Sequence, residues 1–144
     1  MRPSILHATD FSAASRAAFR KAVELAKRDR APLTIAHVLS PQAVMMGDGY
    51  ISAETWDALA RGQRQAGQKK LASLIARARA AGVRARGVLL EGQPAEQIIR
   101  ASRRAGLVVI GTHGRTGLAR FILGSVASRV LAGARCPVVT VRGK

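Results

Sequence analysis

Short apolar segments rich in β-branched residues recur along this 144-residue chain, and helical patterns separate them. There are five such segments: residues 5–9, 33–39, 83–90, 107–111 and 137–141. Short, mostly apolar runs bounded by turn residues are typical of buried strands. Because parallel neighbours need crossover connections of roughly a dozen residues or more, strands that alternate with helices predict a parallel sheet with helices on both faces.

Four helices are predicted between these segments from apolar residues at the i, i+3, i+4, i+7 spacing. The first follows Ser12, which is placed to cap it, and the second spans residues 52–81 and ends at Gly82. The third begins at Pro94, a favoured first-turn residue, and the last begins near Gly124. The last helix presents three apolar residues: Val126, Val130 and Leu131.

The order of these elements favours one topology. Right-handed crossovers leave few arrangements, and we predict a single α/β domain over residues 1–144. Its fold is a five-stranded doubly wound parallel sheet of order 3-2-1-4-5. In such sheets ligands bind at the carboxyl ends of the strands that flank the switch point, here the first and fourth strands. Asp10 follows the first of these and Gly111 ends the fourth.

Composition excludes several classes of site. Cys136 is the only cysteine, which rules out an internal disulfide and any CxxC metal knuckle. The three histidines are scattered, and no two have the i, i+4 spacing of a helical zinc site. No built-in metal is therefore predicted. Neither a membrane span nor a signal-peptide core is visible, so we expect a cytoplasmic protein.

The charge balance is the unusual feature of the composition. The 24 Lys and Arg residues against 8 Asp and Glu give a formal net charge of +16. Such a field attracts nucleotides, nucleic acid and acidic surfaces without choosing among them. The cations are spread along the chain without a dense run, which also fits ordinary solvated helix faces.

The glycine-rich segment 111–125 joins the fourth strand to the last helix. Glycines let backbone N–H groups approach an anion closely, and a helix N-terminus adds unpaired donors and partial positive charge. Ser125 adds a hydroxyl, and Arg115 or Arg120 a guanidinium. The segment is thus predicted to hold a phosphate, although its order of glycines is neither GxxxxGK[ST] nor GxGxxG. The alternative is a turn whose glycines serve only chain reversal.

This segment resembles the nucleotide motif of the universal stress protein family. Gly111-x-x-Gly114, nine residues, then Gly124-Ser125 matches the G-2x-G-9x-G-(S/T) pattern at every fixed position. Three other stretches look like landmarks of that family: residues 5–12 like its first strand and aspartate, His37-Val38 like the end of its second strand, and residues 136–141 like its closing strand. The likeness covers nearly the whole chain and implies an adenine nucleotide alpha hydrolase-like fold.

The resemblance implies that the chain binds ATP or another adenine nucleotide, with any Mg²⁺ held mainly by the phosphates. Asp10 would contact the nucleoside, and Val38 would line the adenine pocket. The full set of predicted binding residues is Asp10, Val38, Gly111, Thr112, His113, Gly114, Arg115, Gly117, Gly124, Ser125 and Val126. Ala8 departs from the proline that many nucleotide-binding members have beside the adenine, which bears on affinity. The family also implies a homodimer joined through residues 137–141.

Single residues keep alternative interpretations. Asp10 could simply cap the first helix. His113 fits a loop donor better than a general base, because Asp10 is the only carboxylate expected nearby. The same shortage of carboxylates argues against catalysis, so no catalytic residue is assigned and slow ATP hydrolysis is the most that we expect. His7 and Cys136 are interpreted as structural residues.

Two functions follow from the sequence. The leading hypothesis is a homodimeric, adenine-nucleotide-binding regulatory protein of the stress response, whose ligand alters conformation or the binding of a protein partner. The alternative is an electropositive adaptor that binds nucleic acid or acidic proteins through its surface. The charge supports the alternative, whereas the 3% aromatic content leaves little for base stacking.

Overall fold

The computed structural model describes residues 3–40, 52–112 and 123–143. Within these ranges lie five strands and four helices. The strands are β1 (Ile5–Ala8), β2 (Leu33–Leu39), β3 (Ala85–Glu91), β4 (Leu107–Thr112) and β5 (Val138–Arg142). The helices are α1 (Ala13–Asp29), α2 (Ala53–Ala80), α3 (Pro94–Ser102) and α4 (Ser125–Gly133). Every predicted element is present, with ends that differ by one or two residues.

The strands form one parallel sheet of order β3-β2-β1-β4-β5, which confirms the predicted topology. Strand β1 lies at the centre, and Ala8 at its carboxyl end is level with Ala36 of β2 and Ile110 of β4. The chain leaves β1 toward β2 but reaches β4 by a later crossover. The switch point between β1 and β4 is therefore where the prediction placed it.

Two apolar cores lie on opposite faces of the sheet, because successive strand residues point to opposite sides. The first packs α1 and α2, through residues such as Phe19 and Leu71, against Ile35 and Val109. The second packs α3 and α4, through Ile98 and Val130, against the other set of strand residues: Leu6, Ala8, Ala36, Val108 and Ile110. Each face of the sheet thus carries a pair of helices.

The helix ends follow the local sequence. The side chain of Ser12 caps α1 by accepting a hydrogen bond from the amide of Ser15 at 3.2 Å. Gly82, with a φ of +91°, follows the end of α2 as predicted. Of the three apolar residues that the sequence presents on α4, Leu131 is 41% exposed, and the buried residues of that helix are Ala127 and Val130. No helix in the described ranges has both the length and the apolarity of a membrane-spanning segment.

Candidate functional site

A cavity of about 220 Å³ opens at the carboxyl edge of the sheet, where β1, β2 and β4 end beneath α3 and α4. Its apolar walls come from Pro94 and from residues of the second core: Ala8, Ala36, Val38, Ile98, Ile110, Val126 and Ala127. Its mouth is polar and consists of Thr9, Asp10, Ser15, His37, Gly111, Gly124 and Ser125. An apolar pocket with a few convergent polar groups is typical of small-molecule sites in proteins.

Asp10 stands at the mouth, directly after β1, and is exposed to solvent. Its Oδ1 accepts hydrogen bonds from the amide of Ser12 at 2.9 Å and from the Ser15 hydroxyl at 2.6 Å. The amide of Asp10 in turn donates to the Ser15 hydroxyl at 3.2 Å. Ser12, and not Asp10, is the N-cap of α1, so Asp10 braces the turn before the helix. Ser15 fixes the orientation of this carboxylate at the cavity mouth.

His37 forms the opposite side of the mouth at the end of β2. Its Nδ1 donates a hydrogen bond to the backbone oxygen of Thr9 at 2.8 Å, which ties the ends of β1 and β2 together. Its ring also packs on Phe11, with 4.5 Å between the ring centroids. Phe11 has a φ of +64°, an uncommon conformation for a bulky residue. The cavity mouth is thus built from a turn that its neighbours hold in place.

Helix α4 begins at the cavity without a side-chain cap. Gly124 occupies the N-cap position and has no side chain to accept from the first-turn amides. Gly124, Ser125 and Val126 all line the cavity. A helix N-terminus carries partial positive charge, so this end of the cavity favours an anion.

Gly111 lines the cavity through its backbone, but its lack of a side chain has another cause. A Cβ at this position would lie 2.6 Å from the backbone oxygen of Ala14. Glycine therefore allows the first turn of α1 to pack directly on β4, on the face of the sheet opposite to the apolar walls of the cavity. A reason for Gly111 based only on approach to a phosphate, as the sequence suggested, is incomplete.

The family model of universal stress proteins, described as "Universal stress protein family", matches residues 1–142 of this chain. A universal stress protein of Methanocaldococcus jannaschii is 35% identical over 138 residues, which cover 93% of this chain and 78% of the relative. The chain belongs to the universal stress protein family. A relative from Bacillus subtilis is 33% identical over 144 residues and covers 96% of this chain and 97% of the relative.

Solved structures of universal stress proteins share the fold. One from Burkholderia pseudomallei is 31% identical, with a TM-score of 0.74 over 96% of this chain and 95% of its own. One from Archaeoglobus fulgidus in complex with dAMP is 23% identical, with a TM-score of 0.67 over 97% and 98% of the two chains. Another in complex with cAMP is 24% identical, with a TM-score of 0.68 over the whole of both chains.

The structure of this universal stress protein brings several predicted site residues together. Asp10, Val38, Gly111, Gly124, Ser125 and Val126 all line the one cavity. Thr112 is buried at the end of β4 and does not belong to the cavity lining; its Oγ1 donates to the backbone oxygen of Val141 at 3.5 Å. The other predicted residues lie outside the described ranges: His113, Gly114, Arg115 and Gly117, together with Arg120.

Several cavity residues escaped the sequence analysis: Thr9, Ser15, His37, Pro94, Ile98 and Ala127. Thr9 and His37 stand at carboxyl ends of central strands, so the topology alone could have nominated them. Pro94 and Ile98 belong to the crossover helix that covers the switch point. Ser15 gives no local pattern, since its role depends on a contact with Asp10 that only the folded turn creates.

Two further residues behave as structural groups. His7 is fully buried on the other face of the sheet, where its Nδ1 donates to the backbone oxygen of Val109 at 3.0 Å. Burial lowers the pKa of His7 to about 4, so the ring is neutral near pH 7. Burial also raises the pKa of the Cys136 thiol, which disfavours the reactive thiolate. The described residues contain no cluster of His, Cys, Asp or Glu suited to a metal ion.

Proposed function

We propose that this universal stress protein is a regulatory protein that binds ATP or another adenine nucleotide. The observation that carries the proposal is the single cavity at the switch point, apolar on one side and bordered by Asp10 and the uncapped N-terminus of α4 on the other. A nucleotide has the same division into a flat, weakly polar base and a charged phosphate end. The relatives solved with dAMP and cAMP support an adenine nucleotide as the ligand class.

Each part of the nucleotide has a chemical counterpart among the described residues. The apolar walls, which include Ala36 and Val38, suit the base. The oriented carboxylate of Asp10 is an acceptor for ribose hydroxyls. The amides of Ser125 and Val126 suit a phosphate, and the glycine-rich residues after β4 are proposed to add further donors. A Mg²⁺ ion would accompany a nucleotide mainly through the phosphate oxygens.

The bound nucleotide is proposed to act as a regulator. Asp10 is the only carboxylate among the described residues that line the cavity, and phosphoryl transfer needs groups that orient a water and stabilise charge on the γ-phosphoryl group. A nucleotide bound in the cavity would contact the starts of both α1 and α4, because Asp10 precedes α1 and Ser125 begins α4. We propose that this contact alters the conformation of the protein or its binding to a protein partner.

Calorimetry with ATP, ADP, AMP and cAMP in moderate salt tests the ligand class. Val38→Trp places a large ring in the cavity wall and is expected to weaken binding at least tenfold. Val88→Trp is the matched control, because Val88 is also a partly buried strand residue of the second core but lies outside this cavity. Absence of saturable binding to the unchanged protein, or equal loss in both variants, would contradict the proposal.

The proposed homodimer uses the last strand. Strand β5 pairs only with β4, so its outer edge has no strand partner within the described sheet. Leu131 of α4 adds exposed apolar surface. Truncation after Arg135 is expected to give monomers in analytical ultracentrifugation. Thr140→Lys tests the same edge without deleting the strand, since lysine on an edge strand opposes strand pairing.

The charge of +16 favours one second candidate, an electropositive adaptor for nucleic acid or acidic proteins. A salt series separates the two functions. Binding to a polyanion falls steeply with ionic strength because it depends on counterion release. A nucleotide held partly in an apolar pocket should keep much of its affinity. Steep loss of nucleotide binding between 50 and about 200 mM salt would favour the adaptor.

A further inference from the structure

A second cavity of about 260 Å³ lies on the other face of the sheet, in the groove between α1 and α2. We call it the basic cleft. Its lining includes Phe11, Arg16, Phe19, Lys70, Ser73 and Arg77. Lys70, Ser73, Leu74 and Arg77 recur at the i, i+3, i+4, i+7 spacing, so one face of α2 forms one wall. The cavity at the switch point, for which a nucleotide is proposed, is called the nucleotide cavity; its lining shares only Thr9 and Ser15 with that of the cleft.

Aromatic rings lie beneath two of the cations of α2. The Lys70 ammonium lies over the Phe11 ring and the Arg77 guanidinium over the Phe19 ring, each 5.4 Å from the ring centroid. Neither residue belongs to an ion pair recorded among residues 3–40, 52–112 and 123–143, and the lining drawn from these ranges contains no acidic residue. A cation on an aromatic face keeps its charge available to a ligand, because a ring does not neutralise it as a carboxylate does.

Arg16 adds a third positive group from α1. Its Nη1 donates to the backbone oxygen of Phe11 at 3.4 Å, which leaves other guanidinium donors for a ligand. The hydroxyl of Ser73 is exposed between Lys70 and Arg77. Lys70 and Arg77 are seven residues apart, about 10 Å along the helix axis, so the cleft has two positive ends rather than one centre.

We propose that the basic cleft is a second ligand site, separate from the nucleotide cavity, for a small molecule that carries two phosphate groups joined by a short spacer. Lys70 receives one phosphate and Arg77 the other. Arginine is suited to this task because its guanidinium forms paired hydrogen bonds with phosphate oxygens. The rings of Phe11 and Phe19 line the cleft beneath the two cations, so its floor is apolar and suits an apolar spacer.

Another basic cavity provides a comparison, because it has positive charge but differs from the cleft in how its cations are held. It lies at the amino edge of the sheet, has a volume of about 300 Å³, and contains Arg86, Arg100 and Arg104. Arg86 there already donates to the hydroxyl of Thr34 at 3.2 Å. No aromatic ring lines that cavity, so its arginines lack the support that Phe11 and Phe19 give in the cleft.

The test uses 1,5-pentanediol bisphosphate and pentyl monophosphate as probes, with calorimetry at moderate salt. The bisphosphate should bind at one saturable site, at least tenfold more tightly than the monophosphate. Lys70→Gln and Arg77→Gln should each abolish this preference. A saturable site that prefers neither probe, or no saturable site, would overturn the proposal.

Matched variants locate the binding. Arg61→Gln/Lys69→Gln removes two charges from α2 outside the cleft, and Arg100→Gln/Arg104→Gln removes two from the amino-edge cavity. Both should leave the affinity for bisphosphate within twofold of the original. If Arg61→Gln/Lys69→Gln lost as much affinity for the bisphosphate as Lys70→Gln does, binding would depend on the overall positive charge. An equal loss in Arg100→Gln/Arg104→Gln would place the probe in the amino-edge cavity, and either result would contradict the proposal.

Val38→Trp separates this proposal from that of the nucleotide site. Bisphosphate binding should persist in this variant, and its loss would mean that the probe occupies the nucleotide cavity. Amide spectra should shift at Phe11 and Ser73 with bisphosphate while the rest of the spectrum confirms the fold. Failure of nucleotide binding with intact bisphosphate binding would contradict the nucleotide function and leave the cleft assigned.

Discussion

At the scale of single residues, the cavity mouth depends on hydrogen bonds that hold a charged group in one orientation. The hydroxyl of Ser15 is buried and donates to the carboxylate of Asp10 at 2.6 Å. A hydrogen bond to a charged group contributes more than a neutral one, roughly 1.5–3 kcal/mol. Because Asp10 is exposed, we expect the lower end of that range. The Ser15 side chain therefore both stabilises the turn before α1 and orients the Asp10 carboxylate at the proposed site.

Ser15→Ala tests this link. We expect a loss of about 2 kcal/mol in the free energy of unfolding, since the variant loses the hydrogen bond to the Asp10 carboxylate and the one that the hydroxyl accepts from the Asp10 amide. Nucleotide affinity should fall several-fold, because the carboxylate of Asp10 gains rotational freedom. Urea unfolding and calorimetry measure the two effects. Ser73→Ala, an exposed position on α2, is the control, and an equal effect there on nucleotide binding would refute the role of Ser15.

His7 gives stability a defined pH dependence. Its pKa is about 4 in the folded protein because of burial, against about 6.5 when unfolded. Between these values the unfolded chain binds a proton that the native ring does not, so stability falls as pH is lowered from about 6.5 to 4. The shift corresponds to roughly 3 kcal/mol at full extent.

His7→Phe should flatten that slope. The His7 Nε2 has no hydrogen-bond partner in the part of the chain that the structure describes, so an apolar ring of similar size fits the site, while the bond to Val109 is lost. Urea unfolding at pH 4.5 and pH 7 should show a smaller stability difference in the variant than in the original. Carboxylates titrate in the same range in both proteins, so only the difference between them is diagnostic. Equal slopes would contradict the assignment to His7.

At the scale of elements, close packing of α1 against β4 decides the identity of Gly111. Gly111→Ala places a Cβ 2.6 Å from the backbone oxygen of Ala14, which cannot move without shifting the helix. Overpacking of this kind costs about 1–3 kcal/mol. Gly62→Ala is the opposite case, because Gly62 is exposed in α2 with nothing within 4 Å of an added Cβ. It should gain about 0.5–1 kcal/mol. The midpoints of denaturant unfolding of the two variants measure these effects. A Gly111→Ala protein more stable than the original would show that α1 does not pack tightly on β4 at this position.

Much of the element scale was predictable from the sequence because periodicity and turn residues report on local structure. The five strands, the capping by Ser12 and the stop at Gly82 all follow from neighbours in the chain. The exposure of Leu131 could not be predicted, because α4 buries only a narrow stripe of Ala127 and Val130 and periodicity does not give the width of a buried face. Ser15 could not be found from the sequence because its contact with Asp10 forms only in the folded turn. The position of His37 at the end of β2 follows from the topology, whereas its contacts with Thr9 and Phe11 do not.

At the scale of the whole molecule, positive charge is poorly compensated. Ion pairs between described residues such as Lys21–Glu24, Arg28–Asp29 and Arg64–Glu91 are exposed. Exposed pairs contribute little, about 0–1 kcal/mol each. With a net charge of +16, repulsion among the remaining cations opposes the compact state. Screening of this repulsion should therefore stabilise the protein.

Thermal unfolding in increasing potassium chloride checks this expectation. The Debye length falls from about 10 Å at 0.1 M salt to about 3 Å at 1 M, so most repulsion between surface cations is lost over that range. A gain of about 1 kcal/mol would raise the Tm by roughly 2–4 °C at this chain length. Arg61→Gln/Lys69→Gln should start at a higher Tm and respond less to salt, because it carries two fewer charges. A Tm that falls with salt would mean that attractive pairs dominate the surface. A rise with sulfate alone would instead indicate anion binding at the cavities and not general screening.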